Sequence, residues 1–361
     1  MRPAFQEDEL ITTGYYSRVS PRMPGIPVLN SPVTTKENTL MMLQGEKPYW
    51  YPMVGMVGGD YKPLRPRMFP DLTVAHDNMD GEPPYPFEEG PDIREGWFDT
   101  QWRYVYTVGG PMIEPGTNKI ESMNEWEQLT WPNLDDLDWE ASAAANAAYI
   151  DCGLPVEFCM PTSYWERLMS ILEVQNAAVA LVDEDQQTAL QEFLTKLTDL
   201  YVDLLHRVKH YYHPDMILIH DDWGHQNGQF FSNEVHEEVF MPHIKRFGRT
   251  VHELGMAFEL HCCGKSEGLV PHMIEAGVNL WCPQKMNDIP RLAEKYRGQG
   301  ITFGVEIPPI APGMPGEDEL ADQTAQEFTA LYKDGPVAYV NYGSSELLYK
   351  YMYRYSRDAL R

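Results

Sequence analysis

The feature that most constrains this chain is a regular alternation of short apolar runs with amphipathic helical segments, which begins at residue 155 and continues to the C-terminus. Strands that alternate with helices form βαβ units, and successive units build a parallel sheet. The predicted strands are Val156–Pro161, Met216–Asp222, Ala257–Cys263, Val278–Gln284, Ile301–Ile307 and Val337–Tyr342. An earlier run at Tyr49–Val54, with one more strand in the segment that follows it, would close a barrel of eight strands.

Helical patterns fill the spaces between these strands. The predicted helices are Tyr164–Val174, Asp185–Tyr211, Glu234–Leu254, Gly268–Ala276, Asp288–Tyr296, Gln323–Asp334 and Ser345–Ser356. An open doubly wound sheet is the alternative to a barrel, but no Gly-x-Gly-x-x-Gly follows any predicted strand. We therefore predict an α/β protein with a (β/α)8 TIM-type barrel.

The barrel is predicted as one domain over residues 34–361, opened by a capping box at Thr34 and Glu37. Residues 1–33 are predicted to form an N-terminal arm that lies over the body or over a partner subunit, which would make the protein a homodimer. An irregular insertion at about residues 56–150 is rich in Gly, Pro and aromatic residues, and we expect a hairpin there at Trp97–Val108.

Composition narrows the classes of partner. The formal net charge of −26 disfavours binding to nucleic acid, whose recognition depends on clustered Lys and Arg. No apolar run reaches the roughly 18 residues of a membrane helix, and the N-terminus lacks a secretory pattern, so a cytoplasmic location and no membrane partner are expected. The five cysteines are an odd number, which favours free thiols over a disulfide framework.

The sharpest chemical feature is the pair His261 and Cys263 at the end of one predicted strand. Residues i and i+2 of a strand face the same side, so an imidazole and a thiol can converge on one ion, and this donor pair suits zinc. The alternative is a buried histidine beside two packed cysteines. Barrel enzymes carry their chemistry at the carboxyl ends of strands, which favours the zinc interpretation.

Other strand ends supply candidates for the rest of the site. A third zinc ligand is expected from Cys282, and Glu306 and Asp222 offer oxygen donors as alternatives. Asp222 and Glu306 are also the candidate catalytic acids. Adjacent Asp221 and Asp222 face opposite ways in a strand, so only one of them can point into the barrel mouth. The alternative to a functional role is that the carboxylate caps the following loop. The remaining polar side chains at strand ends are candidate substrate-binding residues: Asp221, Trp223, Gln284 and Asn341.

Several runs together resemble the uroporphyrinogen decarboxylase superfamily, over roughly residue 34 to the C-terminus. They are NTLMMLQGEKPYWYP, ILIHDDWG, SNEVHEEVFMPHIKR, FELHCCG and MIEAGVNLWCPQKMNDI. The resemblance implies a (β/α)8 barrel. The decarboxylase branch carries an Arg-rich segment after its first strand, whereas Arg65 and Arg67 come late here.

The second branch contains corrinoid-dependent methyltransferases, in which the resemblance implies a zinc held by His-x-Cys and a distant cysteine. His261 and Cys263 match the first two positions, but the last strand ends in Asn341, Tyr342, Gly343 and Ser344, without a cysteine. Loss of a thiolate makes zinc a harder Lewis acid, which suits an ether oxygen better than a thiol. The implied activity is transfer of a methyl group from an oxygen donor, such as a methoxylated aromatic, to a corrinoid cobalt.

The corrinoid is expected on a separate partner protein, because the Asp-x-His-x-x-Gly signature of corrinoid carriers is not in the sequence. Two alternatives stay open. One is a decarboxylase that acts on a tetrapyrrole, which would require a basic pocket. The other is a non-catalytic barrel that binds a corrinoid or tetrapyrrole.

Overall fold

In the computed structural model, eight short parallel strands form the central sheet of a (β/α)8 barrel, as the alternating sequence pattern predicts. The structure describes residues 2–18, 24–55, 58–73, 79–83, 93–107, 110–160, 162–343 and 345–361, so Pro161 and Ser344 lie outside the described residues. The strands are β1 (Met53–Val54), β2 (Lys62–Leu64), β3 (Val156–Met160), β4 (Met216–His220), β5 (Ala257–His261), β6 (Leu280–Trp281), β7 (Thr302–Glu306) and β8 (Val337–Val340). Hydrogen-bonded neighbours run in sequence order from β2 to β8, and β8 then pairs with β1.

Asp60, in the segment between β1 and β2, is hydrogen-bonded to β1, and no ladder pairs β1 with β2 among the described residues. Its backbone N–H donates to the Met53 carbonyl at 2.7 Å, and its carboxylate accepts the Met53 N–H at 3.0 Å. The Tyr349 hydroxyl donates to the second carboxylate oxygen at 3.0 Å. The strand predicted after Tyr49–Val54 is therefore β2, which lies within the range predicted as an insertion.

The helices surround this sheet. Their bounds are α1 (Thr35–Leu43), α2 (Trp139–Ile150), α3 (Tyr164–Ala180), α4 (Gln187–Tyr212), α5 (Met241–Glu253), α6 (Val270–Glu275), α7 (Ile289–Lys295), α8 (Glu317–Tyr332) and α9 (Glu346–Ala359). A short helix, Asn233–Val235, and a π-helical turn, His236–Phe240, precede α5. The capping box predicted at Thr34 is present, with the Glu37 N–H bound to the Thr34 hydroxyl at 3.1 Å.

Two helix predictions differ in extent. Helix α8 begins six residues before the predicted start, because Glu317, Asp318 and Glu319 form an acidic first turn that suits a helix N-terminus. Helix α3 runs six residues past its predicted end and contains a kink at Glu173, whose φ is +64°. No helix in the part of the chain that the structure describes is long and apolar enough to cross a membrane.

The N-terminal arm packs on α9. It contains a 3-10 turn, Glu7–Leu10, and an antiparallel hairpin of Thr12–Tyr16 with Ile26–Leu29. The buried Glu9 carboxylate accepts two hydrogen bonds from the Arg357 guanidinium, at 2.8 and 3.0 Å. An ion pair therefore anchors the arm to the last helix.

The hairpin predicted at Trp97–Val108 is wrong in its extent. The structure has a three-stranded antiparallel sheet of Ile93–Glu95, Gln101–Val105 and Gly110–Ile113. Residues Trp97–Asp99 form a 3-10 turn instead of a strand, and positive φ values at Phe98 and Asp99 end the extended pattern there. Trp97 and Phe98 are buried in the core, so these two aromatic rings stabilise the fold.

Candidate metal centre

The loops that follow β4 and β5 approach each other closely, and glycine makes this approach possible. Gly264 has a φ of +81°, and a Cβ at this position would lie 2.2 Å from the carbonyl carbon of Gly224. Any larger residue at either position would separate the two loops. The side chains at the ends of β4 and β5 are therefore held together at the mouth of the barrel.

A cluster of metal-ligating side chains lies at these two strand ends. One ligand atom each from His220, Asp222 and His261 lie within 4.8 Å of one another. The Cys263 Sγ atom is 3.3 Å from His261 Nε2, and the nearer Asp222 carboxylate oxygen is 3.9 Å from the same nitrogen. The predicted pair His261 and Cys263 does converge, and Asp222 joins it.

These separations fit donors that share one zinc ion. Zn–N and Zn–O bonds of about 2.0 Å and Zn–S bonds of about 2.3 Å place tetrahedral N and S atoms about 3.5 Å apart and N and O atoms about 3.3 Å apart. The His261–Cys263 distance is close to the first value, and the 3.9 Å from His261 to the Asp222 oxygen exceeds the second by about half an ångström. Imidazole, thiolate and carboxylate are also the donor types that zinc takes in proteins.

His220 is oriented by a carboxylate behind it. Its Nδ1 atom lies 2.9 Å from each oxygen of Glu166, and its ring stacks on that of His261 with centroids 4.3 Å apart. His220 and His261 are register partners on β4 and β5. The Glu166 contact leaves Nε2 as the His220 nitrogen that could bind a metal.

Electrostatics set the charge of each group. Burial and the neighbouring His220 lower the pKa of His261 to about 3, so this imidazole is neutral and keeps a free lone pair. Burial disfavours the charged form of His220, but the carboxylates of Glu166 and Asp222 outweigh it and raise the pKa. Burial raises the pKa of Glu166, and His220 opposes that rise, so the pair holds a proton at neutral pH. Although burial raises the pKa of Asp222, the two histidines outweigh it and the net shift is downward.

Asp221 and Trp223 have structural contacts in place of the substrate-binding roles predicted for them. The Asp221 carboxylate accepts the N–H groups of Tyr164, Trp165 and Glu166, at 3.3, 3.2 and 2.9 Å, and so caps α3. Trp223 donates its indole N–H to Asp221 at 2.8 Å. Both side chains are fully buried, which leaves no exposed surface for a substrate. As the alternation of a strand requires, only Asp222 of the two aspartates faces the barrel mouth.

The other predicted residues lie at different depths around the cluster. Gln284 accepts the Gly264 N–H at 2.8 Å and points its amide nitrogen at Cys263 Sγ, 3.5 Å away. Asn341 is buried and accepts the Gly343 N–H at 2.9 Å, and its amide nitrogen has no partner among the described residues. A substrate group or a water molecule could satisfy that nitrogen. Glu306, the last residue of β7, is exposed.

Cys282 does not face the His261–Cys263 pair. Its Sγ atom lies 3.7 Å from the Glu259 carboxylate, in the layer of the barrel below His261. A Cβ on Gly304 of the next strand would lie 2.4 Å from this sulfur, which shows how closely the thiol is packed. Burial and the carboxylates of Glu259 and Glu157 raise the pKa of Cys282, and burial and Asp222 also raise that of Cys263, so it is the position of the sulfur and not its pKa that distinguishes the two thiols.

Sequence reasoning missed His220, Glu166 and Arg65. His220 could have been found, because it has the same strand parity as Asp222. Glu166 could not, because it lies on α3 and reaches the site only through the packing of that helix. Buried Arg65 directly follows β2, and its positive charge contributes to lowering the pKa of His261. Arg67 is held by Asp80 in two hydrogen bonds of 2.7 and 2.8 Å, so it is not available to a substrate carboxylate.

No protein-family model matches the chain, and no curated protein matches it in sequence. Among solved structures, a methyltransferase from Methanosarcina mazei is similar over 90% of this chain and 98% of its own, with a TM-score of 0.54 and 13% identity. This likeness shows a shared fold and agrees with the fold implied by the sequence resemblance. Xylanase B from Clostridium stercorarium F9 is similar over 58% of this chain and 73% of its own, with a TM-score of 0.34 and 15% identity. D-psicose 3-epimerase from Clostridium cellulolyticum H10 is similar over 66% and 85%, with a TM-score of 0.34 and 11% identity.

Proposed function

We propose that this protein is a zinc- and corrinoid-dependent methyltransferase. In this proposal a methyl group moves from an oxygen donor, such as a methoxylated aromatic, to the cobalt of a corrinoid on a partner protein. The observation that carries it is the cluster of His220, Asp222 and His261 at the mouth of the barrel, with Cys263 Sγ 3.3 Å from His261 Nε2. Likeness in fold to a methyltransferase over nearly the whole of both chains supports the same class of reaction.

His261 and Cys263 would hold the zinc in this proposal. The ion, when bound, supplies Lewis acidity toward the ether oxygen and so lowers the barrier to its departure as a phenolate. His261 is suited to binding because burial keeps its imidazole neutral. Cys263 is fixed in place by its own N–H, which donates to Asp222 at 2.7 Å, and by the Gln284 amide on its sulfur.

Proton supply to the departing oxygen would fall to a carboxylic acid at the mouth. Asp222 is a weaker candidate than the sequence indicates, because its two histidine neighbours lower its pKa and favour the ionised form. Glu306 is exposed at the end of β7, where a substrate in the barrel mouth can reach it. We therefore assign the acid role to Glu306 and a hydrogen-bond acceptor role to Asp222.

The test is a methyl-transfer assay with reduced cobalamin as acceptor, with metal content measured on the same preparation. Methoxylated aromatics, methylamines and thiols serve as the donor panel. We expect about one zinc per chain, transfer from the methoxylated aromatics, and loss of both in His261→Ala. A metal-free wild-type protein, together with unchanged activity in His261→Ala, would refute the proposal.

A decarboxylase acting on a tetrapyrrole is not favoured by the described residues. Such an enzyme needs several cations to bind substrate carboxylates, and the two arginines near β2 are poorly placed for this. Arg67 is committed to Asp80, and the buried Arg65 faces a site that also contains Asp222 and Glu166.

A further inference from the structure

The proposed function assigns two zinc ligands, His261 and Cys263, and keeps Asp222 as a hydrogen-bond acceptor because its nearer oxygen already accepts the Cys263 N–H. For the third ligand the sequence offers Cys282. The structure places the Cys282 sulfur against Glu259, in the layer below the site, with its thiol hydrogen directed at the carboxylate 3.7 Å away. Gly304 closes the space on its other side. Cys282 would have to leave a packed position to reach a metal held by His261.

His220 lies where that ligand is needed. It is the register partner of His261 on the neighbouring strand, and the two rings stack at 4.3 Å with an angle of 20° between their planes. Both side chains point to the same side of the sheet, so one nitrogen from each lies within 4.8 Å of the other and of an Asp222 oxygen. Two nitrogens on one tetrahedral zinc lie about 3.3 Å apart, and an imidazole lone pair lies in the ring plane, so the stacked rings must tilt toward each other to bind one ion.

Glu166 fixes the orientation of His220. Its two oxygens share the Nδ1–H group of His220, each at 2.9 Å. The Glu166 backbone is itself held, because its N–H donates to the capping carboxylate of Asp221 at 2.9 Å. Histidines that bind metals commonly donate their second ring N–H to a carboxylate, which sets the tautomer and makes the other nitrogen a better ligand.

We propose that His220 is the third protein ligand of the metal and that Glu166 is the residue that positions it. This inference rests on the proposed function only for the existence of a metal at His261 and Cys263. The proposed protein ligands are then His220, His261 and Cys263, with Asp222 next to the two histidines. Three protein ligands with one open position are typical of zinc sites that act in catalysis.

The experiment measures metal binding by the full-length protein, independently of methyl transfer. Zinc affinity is determined by competition with a chromogenic chelator for wild type, His220→Ala, Glu166→Gln and Glu166→Ala. We expect Glu166→Gln to bind about 10-fold more weakly and Glu166→Ala up to about 100-fold more weakly. His220→Ala should lose more affinity than either. His225→Ala removes an exposed histidine from the loop after β4, and Glu192→Gln removes an exposed carboxylate from α4, so these controls should bind as wild type does.

Cobalt substitution identifies the ligands directly, because Co²⁺ gives absorption bands that depend on coordination number and on bound thiolate. We expect the ligand-field bands to weaken in His220→Ala and Glu166→Ala while the thiolate-to-cobalt band stays, and that band to vanish in Cys263→Ser. Thermal unfolding of each apo-protein identifies variants that fail to fold. If His220→Ala unfolds, the nearly isosteric Glu166→Gln still provides the test.

The outcomes separate this inference from the proposed function. If His261→Ala loses the metal but the His220 and Glu166 variants keep wild-type affinity and cobalt spectrum, the third ligand lies elsewhere and the inference is overturned, while the proposed function stands. If wild type binds zinc but shows no methyl transfer to any acceptor, the proposed function fails and the ligand assignment is still decided by the spectra. If wild type binds neither zinc nor cobalt, both are overturned.

Discussion

Two adjacent aspartates, Asp221 and Asp222, should have opposite phenotypes when each is replaced by alanine. Asp221 is fully buried and accepts four hydrogen bonds, three from the first turn of α3 and one from Trp223. Asp221→Ala would leave those four buried donors without an acceptor. Asp222 is partly exposed and accepts one backbone N–H, from Cys263.

The size of the difference follows from these contacts. A net loss of about 1 kcal/mol per hydrogen bond gives a destabilisation of about 3–5 kcal/mol for Asp221→Ala and about 1 kcal/mol for Asp222→Ala. For a chain of 361 residues, an unfolding entropy of about 0.8 kcal/mol/K converts these values to a fall in Tm of about 5 °C and about 1 °C. Burial raises the pKa of Asp221 to about 6, which reflects the free-energy cost of burying the carboxylate. Asp221→Ala removes that cost, so we expect a destabilisation near the lower end of the range, about 3 kcal/mol.

Thermal unfolding of the apo-proteins, paired with methyl transfer at 25 °C, tests the contrast. We expect Asp221→Ala to lose stability and to retain measurable transfer, and Asp222→Ala to lose only about 1 °C in Tm but at least 10-fold in rate. An Asp221→Ala protein that melts within 1 °C of wild type would refute the assignment of this residue as a helix cap. So would an Asp222→Ala protein that is the less stable of the two.

Three further results follow from the structure. The Cys282→Ala variant should keep a zinc content within 2-fold of that of wild type, because the thiol faces away from His261. Metal analysis after dialysis measures this content, and loss of zinc would show that Cys282 is a ligand. Burial lowers the pKa of His236 to about 3 and of His243 to about 4, so the unfolded chain binds protons that the folded protein excludes. Each of these histidines should therefore lower the stability as the pH drops below about 6.5, by up to about 1.4 kcal/mol per pH unit. The raised pKa values of Glu166 and Asp221 act in the opposite direction, so the slope is taken as the difference in urea unfolding between wild type and His243→Gln from pH 7 to pH 5. Glu9→Ala should leave the Arg357 guanidinium buried without its partner, cost about 3–5 kcal/mol and release the arm to proteolysis; an unchanged digestion pattern would contradict this.

The sequence predicts the barrel because periodicity is a local property that each βαβ unit repeats. It fails at Trp97–Asp99 because a 3-10 turn with two positive φ values interrupts an otherwise extended pattern. It also fails at the start of α8, because the predicted helix begins at Gln323 and omits the acidic first turn that begins at Glu317. Both errors arise where backbone conformation, and not hydrophobic spacing, decides the structure.

Some features of the site follow from the alternation of side chains along a strand, and others depend on how helices pack. Strand parity is enough to separate Asp221 from Asp222 and to bring His261 and Cys263 together, since both follow from alternation along one strand. His220 is two residues before Asp222 and therefore faces the same side of the strand. This alternation could have added His220 to the predicted ligands. Parity cannot show that Glu166 lies behind His220, because that contact depends on how α3 packs against β4.

For Cys282, neither the alternation along its strand nor the pairing of strands is enough to decide whether it can be a ligand. The register of β5 with β6 pairs Leu260 with Trp281, which brings Cys282 level with His261, so the backbone alone would admit Cys282 as a zinc ligand. What excludes it is the side-chain direction, since its sulfur turns down to the Glu259 carboxylate instead of up to the mouth. His220 is equally level with His261 on the opposite neighbour, and there Glu166 directs the ring toward the mouth. Two strands thus offer equivalent backbone positions beside His261, and in our proposal the carboxylate near each side chain decides which of them would bind a metal.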